Sequence, residues 1–199
     1  MGEGVLAYDE RLRREVAIKR LRKDQADEDA VGRFLQEAQV TAQLDQPNIM
    51  PVYEMGTGPD GAAFFTMKRV LGRSLQEKMN DGQLGSMVVR MDVFRKICDA
   101  IAFAHSRGVL HRDLKPGNVM VGEFGEVLVL DWGCAKMHSA DEEDADERQQ
   151  VTSDRSEVDS DRTIVGSIIG TPAYMSPEQA QGRVETLDLR SDVYSLGAI

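Results

Sequence analysis

The chain has 199 residues, a formal net charge of −10 and two cysteines. This length is sufficient to bury a sizeable core as one or two domains. The sequence shows no basic face of the kind that binds nucleic acid, and its cysteines form neither a zinc pattern nor a disulfide framework. No run is apolar enough to span a membrane. We therefore expect a reducing, cytoplasmic setting, with any membrane attachment lying outside this chain.

In chain order, the first third of the sequence predicts a small sheet with one helix. Strands are expected at Val5–Tyr8 and Glu15–Leu21, and again near Pro51–Met55 and Ala62–Lys68. Charged or glycine-containing turns separate the members of each pair, which favours antiparallel hairpins.

Two charged residues in this region are candidates for a site. The run from Val16 to Lys19 alternates, so that Val16 and Ile18 face a core and Lys19 faces the other side. Glu37 follows eighteen residues later, among apolar residues at helical spacing, so a helix can carry its carboxylate towards Lys19. Considered singly, a lysine or glutamate is more often a solvated surface charge.

The middle of the chain predicts a short helix from Ser74 and a long helix from about Met87 to His105. His111–Asn118 comes next and sets Asp113, Lys115 and Asn118 at the offsets used in phosphoryl transfer to a hydroxyl. The aspartate can accept the proton of an attacking alcohol, the lysine can neutralise charge on the moving phosphate, and the amide can hold a metal ion. A polar turn is the alternative interpretation.

A second carboxylate is predicted at the end of a strand. Asp131-Trp132-Gly133 follows the apolar run Val127–Leu130, so Asp131 stands where a phosphate-bound magnesium could be held. An ordinary turn is the alternative here.

Most of the excess negative charge lies beyond this point. Residues 141–162 contain ten acidic residues and three arginines, a net charge of −7, with almost no large apolar side chain. Such a segment cannot bury enough apolar surface to fold, so we expect a solvated, disordered insertion over about residues 137–169.

Together these segments resemble the Hanks-type serine/threonine protein kinases, and the bacterial members most closely. The segments that carry the resemblance are Val16–Lys19, Glu37, His111–Asn118, Asp131–Gly133, Gly170–Glu178 and Ser191–Gly197, all in family order. The resemblance implies an α+β, two-lobed fold, with residues 1–70 as an antiparallel-sheet lobe with one main helix. Residues 71–199 would be part of a mainly helical lobe.

The resemblance also implies an activity and a site. The activity is signalling by magnesium-dependent transfer of the γ-phosphate of ATP to serine or threonine hydroxyls of protein substrates. Lys19 would pair with Glu37 and contact the phosphates, Asp113 would be the base, and Asn118 and Asp131 would hold magnesium. The remaining implied nucleotide contacts are Gly2, Ala17, Met67 at the back of the adenine pocket, and Val70 in the hinge; Thr171 would contact Asp113 from the substrate platform.

Four positions depart from the family pattern. Trp132 replaces a phenylalanine, Gln46 stands in a segment that commonly has a histidine, and Ser176 replaces an alanine. Gly4 occupies the position that usually presents a valine to the adenine, although a shift of one residue would put Val5 there instead.

The resemblance further predicts a domain that is truncated at both ends. A glycine-rich loop reads G-x-G-x-x-G, and of it only Gly2, with Gly4 as a second candidate, is present. Ser191–Ile199 opens an apolar helix that stops without a cap. We therefore expect the 199 residues to be inactive and poorly folded when produced alone.

A regulatory site is predicted around Arg112, whose guanidinium is suited to binding a phosphate beside the base. Phosphorylation of Thr163 or Ser167 is expected to order the segment that precedes Thr171.

The sequence also disfavours two other function classes. A small-molecule phosphotransferase is disfavoured by Lys115 and by the platform at Gly170–Glu178. A nucleotide-binding pseudokinase or scaffold is disfavoured because Lys19, Asp113, Asn118 and Asp131 are all present.

Overall fold

The computed structural model describes residues 2–22, 27–137, 151–153 and 170–199. Its strands are β1 (Gly2–Asp9), β2 (Arg14–Leu21), β3 (Val52–Thr57), β4 (Ala63–Lys68), β5 (Gly72–Ser74), β6 (Val109–Leu110), β7 (Val119–Gly122), β8 (Val127–Val129) and β9 (Lys136–Met137). Its helices are α1 (Glu28–Gln43), α2 (Leu75–Asn80), α3 (Met87–Ser106), α4 (Pro177–Ala180) and α5 (Leu189–Ala198). Most of the acidic insertion predicted for residues 137–169 lies outside the described residues.

The first four strands form an antiparallel sheet in the order β1-β2-β4-β3, and α1 packs against it. The contact between helix and sheet is apolar: Phe34 and Phe65 approach to 5.0 Å between ring centroids, and Leu21 and Ala38 are buried beside them. Asp27 caps the helix by accepting a hydrogen bond from the N–H of Ala30 at 2.6 Å. The predicted small sheet with one main helix is confirmed.

Strand β1 begins three residues earlier than the sequence indicates. The pairing with β2 continues to the pair Gly2 and Leu21, so the segment before Val5 is part of the sheet. Glycines are depleted in strands and carry no apolar pattern, which is why the local signal misses them.

The larger part of the chain is built on α3. The buried residues Ile97, Ala100, Ile101 and Ala104 recur at helical spacing, and the helix packs against the strands β6 and β8. Two small sheets, β5-β7-β8 and β6-β9, bring the predicted catalytic segments to the edge of this core. The observed helix, Met87–Ser106, is one residue longer than the predicted one.

The segment after α1 joins the two parts of the molecule. Ile49 forms a parallel bridge with Val129, and the N–H of Val129 donates to the Asn48 carbonyl at 2.8 Å. The Asn48 amide donates to the Val127 carbonyl at 2.9 Å, while Gln46 Oε1 accepts the N–H of Asn48. The end of α1 is thereby tied to the strand that leads to Asp131.

Within the described residues, no helix combines the length and apolar character needed to cross a bilayer.

Candidate active site

A cleft of about 520 Å³ lies beneath the first sheet, a volume typical of small-ligand sites. All seven residues predicted to contact nucleotide line it: Gly2, Ala17, Lys19, Met67, Val70, Asn118 and Asp131. Sequence reasoning assigned no contact to several other lining residues, among them Thr41, Met50, Phe65, Met120 and Leu130. These are mostly apolar side chains in ordinary secondary structure, and nothing in their local sequence distinguishes them from core residues.

Three charges meet at the inner end of this cleft. Lys19 Nζ donates to Glu37 Oε1 at 2.5 Å and to Asp131 Oδ1 at 3.3 Å. Lys19 reaches this point from β2 and Glu37 from the middle of α1, where it is buried, while the Asp131 side chain is 48% exposed. The lysine is therefore held between a buried carboxylate and one that faces the cleft.

The electrostatics of the triad favour a charged lysine. Burial acts to lower the pKa of Lys19, but the Glu37 and Asp131 carboxylates outweigh it and hold that pKa above its ordinary value. Burial also acts to raise the pKa of Asp131, and here Lys19 outweighs it, so the pKa of Asp131 lies below its ordinary value. Asp131 is thus anionic at neutral pH.

The backbone around Asp131 explains how the triad closes. Asp131 has a φ of 63°, in the left-handed region, which turns the chain sharply as it leaves β8. A Cβ at Gly133 would lie 3.1 Å from Glu37 Oε2, tighter than an ordinary contact. Glycine at this position therefore permits the close approach of Glu37, a role that the motif alone does not reveal.

The predicted base lies in a connected polar network. Asp113 Oδ2 accepts from Lys115 Nζ at 2.7 Å, and Asp113 Oδ1 accepts from the Thr171 hydroxyl at 2.9 Å. Lys115 also donates to the Thr171 oxygen at 2.6 Å, and the Asn118 amide donates to the Asp113 carbonyl at 2.8 Å. The structure thus brings together all four of these predicted site residues.

A residue with no predicted role, within the segment Ser191–Gly197, holds this loop in place. Asp192, on α5 and fully buried, accepts the backbone N–H groups of His111 and Arg112 at 2.8 and 2.9 Å. His105 Nε2 lies 2.8 Å from the same carboxylate. Arg112 has a φ of 66°, so these contacts hold a strained turn directly before Asp113. The available signal was an acidic residue inside an apolar helical pattern.

The register of the sheet shows which of Gly4 and Val5 lies on the same face as Lys19. Gly4 pairs with Lys19, and paired residues share a face, so Gly4 lies on the side of the lysine and Val5 on the other side. A Cβ at Gly4 would meet nothing within 4 Å. The glycine therefore leaves open space above the cleft.

Of the residues that follow Asp131, Trp132 is buried and Cys134 is half-buried. Trp132 is 1% exposed, and its ring lies 4.7 Å from that of His111, so the tryptophan anchors the segment in the core. Burial, followed by the charges of Asp113 and Asp131, raises the pKa of Cys134 to about 11. The thiol is consequently protonated at neutral pH, which favours a structural cysteine over a reactive one.

The donor groups suit a magnesium–nucleotide complex. The Asn118 nitrogen is engaged with Asp113, which leaves its oxygen, together with the Asp131 carboxylate, as the hard ligands that magnesium prefers. A Cβ at Gly2 would lie 3.0 Å from Lys19 Cε, a tight contact, so the glycine lets the β1 backbone pass close to the lysine without displacing its side chain.

Arg112 is buried beside the base, and the glutamine Gln179 donates to its carbonyl at 2.6 Å. Thr163 and Ser167, the predicted phosphorylation sites, lie outside the described residues.

A two-lobed α+β fold with a Lys–Glu pair, a loop aspartate and two metal-type ligands around one cleft defines a protein kinase domain. The family of protein kinase domains matches residues 1–199. Among known relatives, the serine/threonine-protein kinases PknD of Protochlamydia amoebophila, Chlamydia trachomatis serovar D and Chlamydia caviae are 41%, 39% and 36% identical over the whole chain. The chain belongs to the protein kinase family, and the predicted resemblance to bacterial serine/threonine kinases is confirmed. It spans only 21–23% of the length of these relatives.

The Asp192 carboxylate should make the free energy of unfolding depend on pH. Burial acts to raise its pKa, but the hydrogen bond from His105, with His111 and Arg112, holds that pKa below the ordinary 3.8. A lowered pKa in the folded state stabilises the protein above pH 3.8, and this contribution is lost as the pH falls through the folded-state value. Asp192→Asn should therefore lower the free energy of unfolding at neutral pH by about 1–3 kcal/mol, because its NH₂ group faces a backbone donor.

The measurement is chemical unfolding between neutral and acidic pH, with Asp99→Asn on the exposed face of α3 as the control. The wild type and the control should lose stability more steeply on acidification than Asp192→Asn. Parallel curves for all three proteins would contradict the role given to Asp192.

Proposed function

We propose that the protein to which this chain belongs transfers the γ-phosphate of ATP to serine or threonine hydroxyls of protein substrates, with magnesium as its metal. The observation that carries the proposal is the joint presence of the Lys19–Glu37–Asp131 triad and the Asp113–Lys115–Thr171 network, linked through Asn118, whose side chain lines the nucleotide cleft.

The inner triad would bind and orient the nucleotide. Glu37 holds the Lys19 ammonium so that it points into the cleft, where it can neutralise phosphate charge. Asn118 and Asp131 would hold magnesium, which when bound neutralises charge on the phosphates and orients them. Met67 and Val70 line the part of the cleft where the adenine would lie, and Ala17 shares the face of β2 with Lys19.

The loop network would carry the proton chemistry. Asp113 accepts hydrogen bonds on both carboxylate oxygens, which fixes its plane, and Oδ1, with one donor, has a further lone pair for a substrate hydroxyl. Lys115 donates to Asp113 Oδ2 and can neutralise charge on the transferred group. Thr171 donates to Asp113 from the chain segment that ends at α4, so a peptide bound there would present its hydroxyl to the base.

This arrangement supports a protein kinase over the other two classes. A pseudokinase needs no ordered base, yet Asp113 has three side-chain donors around it, namely Lys115, Thr171 and Asn118. A small-molecule phosphotransferase needs no contact between the base and a following platform, and Thr171 makes that contact.

Substitution of either carboxylate tests the proposal in the full-length protein. Asp113→Ala removes the base and Asp131→Ala removes a metal ligand, and each should lower kcat at least about a thousandfold because these groups act as a unit. The measurement is transfer of labelled phosphate to a serine- and threonine-containing protein with magnesium-ATP. Asp99→Ala, an exposed change on α3, is the control.

If Asp131→Ala left the turnover of a protein substrate unchanged, the assignment would be refuted. If the wild type bound nucleotide tightly but transferred no phosphate, the pseudokinase would be favoured. If it transferred phosphate to a small alcohol but not to protein, the small-molecule phosphotransferase would be favoured.

The position of Gly4 generates a second prediction. Gly4→Val should fill the open space above the cleft and lower the Kd for magnesium-ATP about fivefold, because the two methyl groups of the valine then contact the ligand. Glu3→Val adds the same side chain to the opposite face of β1 and should leave the Kd unchanged. Isothermal titration measures both, and an effect of Glu3→Val equal to that of Gly4→Val would show that the register argument is wrong.

Regulation by phosphate remains a proposal that rests on Arg112. A phosphate on Thr163 or Ser167 would add nearly two negative charges to the segment before Thr171 and can pair with a guanidinium. Mass spectrometry of the active full-length protein should find phosphate on one of the two residues, and treatment with a phosphatase should lower its activity. Full activity with neither residue modified would exclude this form of control.

A further inference from the structure

A short segment between Asp131 and Thr171 is bonded to the helix that carries Glu37. Gln43, the last residue of α1, donates from Nε2 to the Thr152 carbonyl at 2.5 Å. The Thr152 N–H donates back to Gln43 Oε1 at 3.0 Å. The side-chain amide therefore pairs with the Thr152 backbone in both directions, as a neighbouring strand would.

The residue before Thr152 enters the protein core. Val151 is 7% exposed and belongs to the large apolar cluster that also contains Val40 and Leu44 at the end of α1, and Trp132. An isolated apolar residue in a strongly acidic part of the chain thus has a defined burial site. Residues 151–153 are consequently anchored both by burial and by two hydrogen bonds.

This anchor acts on the same rigid body as the catalytic glutamate. Gln43 and Glu37 lie on one uninterrupted helix, and the Thr41 hydroxyl donates to the Glu37 carbonyl at 2.6 Å. The Gln43 side chain is also fixed to its own helix, since Nε2 lies 2.9 Å from the Gln39 carbonyl. A displacement of the end of α1 therefore also moves Glu37 relative to Lys19.

We propose that Val151 and the Thr152 backbone form a latch with Gln43 that positions Glu37 against Lys19. The proposal rests on the proposed phosphotransfer function and deepens it, because it names positioning residues for the same site. The latch residues are not among those that line the cleft, and they act only through Glu37.

The latch is suited to reversible control. Its hydrogen bonds lie at the surface, where water competes for them, and a buried valine has no polar partner to lose. Release would expose one valine and free the end of α1, a change of the size that shifts a two-state equilibrium about tenfold. The state of the segment before Thr171 is in this way coupled to the nucleotide cleft.

The test uses backbone and side-chain changes in the full-length protein. Thr152→Pro removes the N–H that Gln43 accepts, and Gln43→Ala removes the clamp from the other side. Thr152→Ala keeps both backbone bonds and is the matched control. With magnesium-ATP and a protein substrate, Thr152→Pro and Gln43→Ala should each lower kcat about tenfold, while Thr152→Ala should behave as the wild type.

A coupling measurement distinguishes positioning from general destabilisation. In a Glu37→Gln background, Thr152→Pro and Gln43→Ala should cause less than about a twofold further loss of kcat, because the latch has no other route to the site. Equal losses in both backgrounds, or no loss in either, would overturn the proposal.

A readout that needs no turnover separates this idea from the proposed function. Hydrogen exchange of the amides of residues 37–43 should be faster in Thr152→Pro than in Thr152→Ala, since release loosens the end of α1. Equal exchange rates would overturn the latch even if the protein proves to be an active kinase. Faster exchange in a protein that transfers no phosphate would refute the proposed function and leave the latch standing.

Discussion

The ion pair between Lys19 and Glu37 is the constraint on which the rest of the small lobe depends. Taking both charges out of water is expensive, and the pair is favourable only when the geometry is good and the remaining atoms are bonded. Here β2 and α1 must approach closely. The contact between Phe34 on α1 and Phe65 on β4, the strand next to β2, holds the helix against the sheet with the ring centroids 5.0 Å apart. Apolar packing therefore stabilises the sheet and the helix against each other. Their relative position in turn determines whether the ion pair forms and whether Lys19 points into the cleft.

The loop that carries the base depends on a second buried carboxylate. Asp192 binds two successive backbone N–H groups, and the Arg112 residue that follows His111 has a left-handed φ. A backbone conformation of this kind costs about 1–3 kcal/mol and persists only where its surroundings fix it. The buried anion supplies that fixation, so the geometry of Asp113 is determined by a residue far along the chain that never meets the substrate.

The residues that sequence reasoning could place are those whose signal is local. Lys19 follows from strand alternation and Glu37 from helical spacing, and α3 was predicted to within one residue because its apolar pattern is long. The role of Asp192 and the contact between Gln43 and Thr152 depend on partners 80 and 109 residues away, and no local pattern encodes such a distance. Gly133 belongs to the same class, since its need for glycine arises from Glu37 on another element.

The departures from the family pattern are intelligible by the same physics. Trp132 keeps a large apolar ring against His111, and Gln46 replaces one side-chain acceptor by another that caps the Asn48 N–H. In both cases the physical task is kept while the residue changes. Gly4 is different, because nothing occupies the space that its missing side chain leaves. Trp132 and Gln46 fill their roles in the core and leave the cleft as it is, whereas Gly4 lies on the face of β1 that Lys19 shares, so its missing side chain widens the space above the cleft.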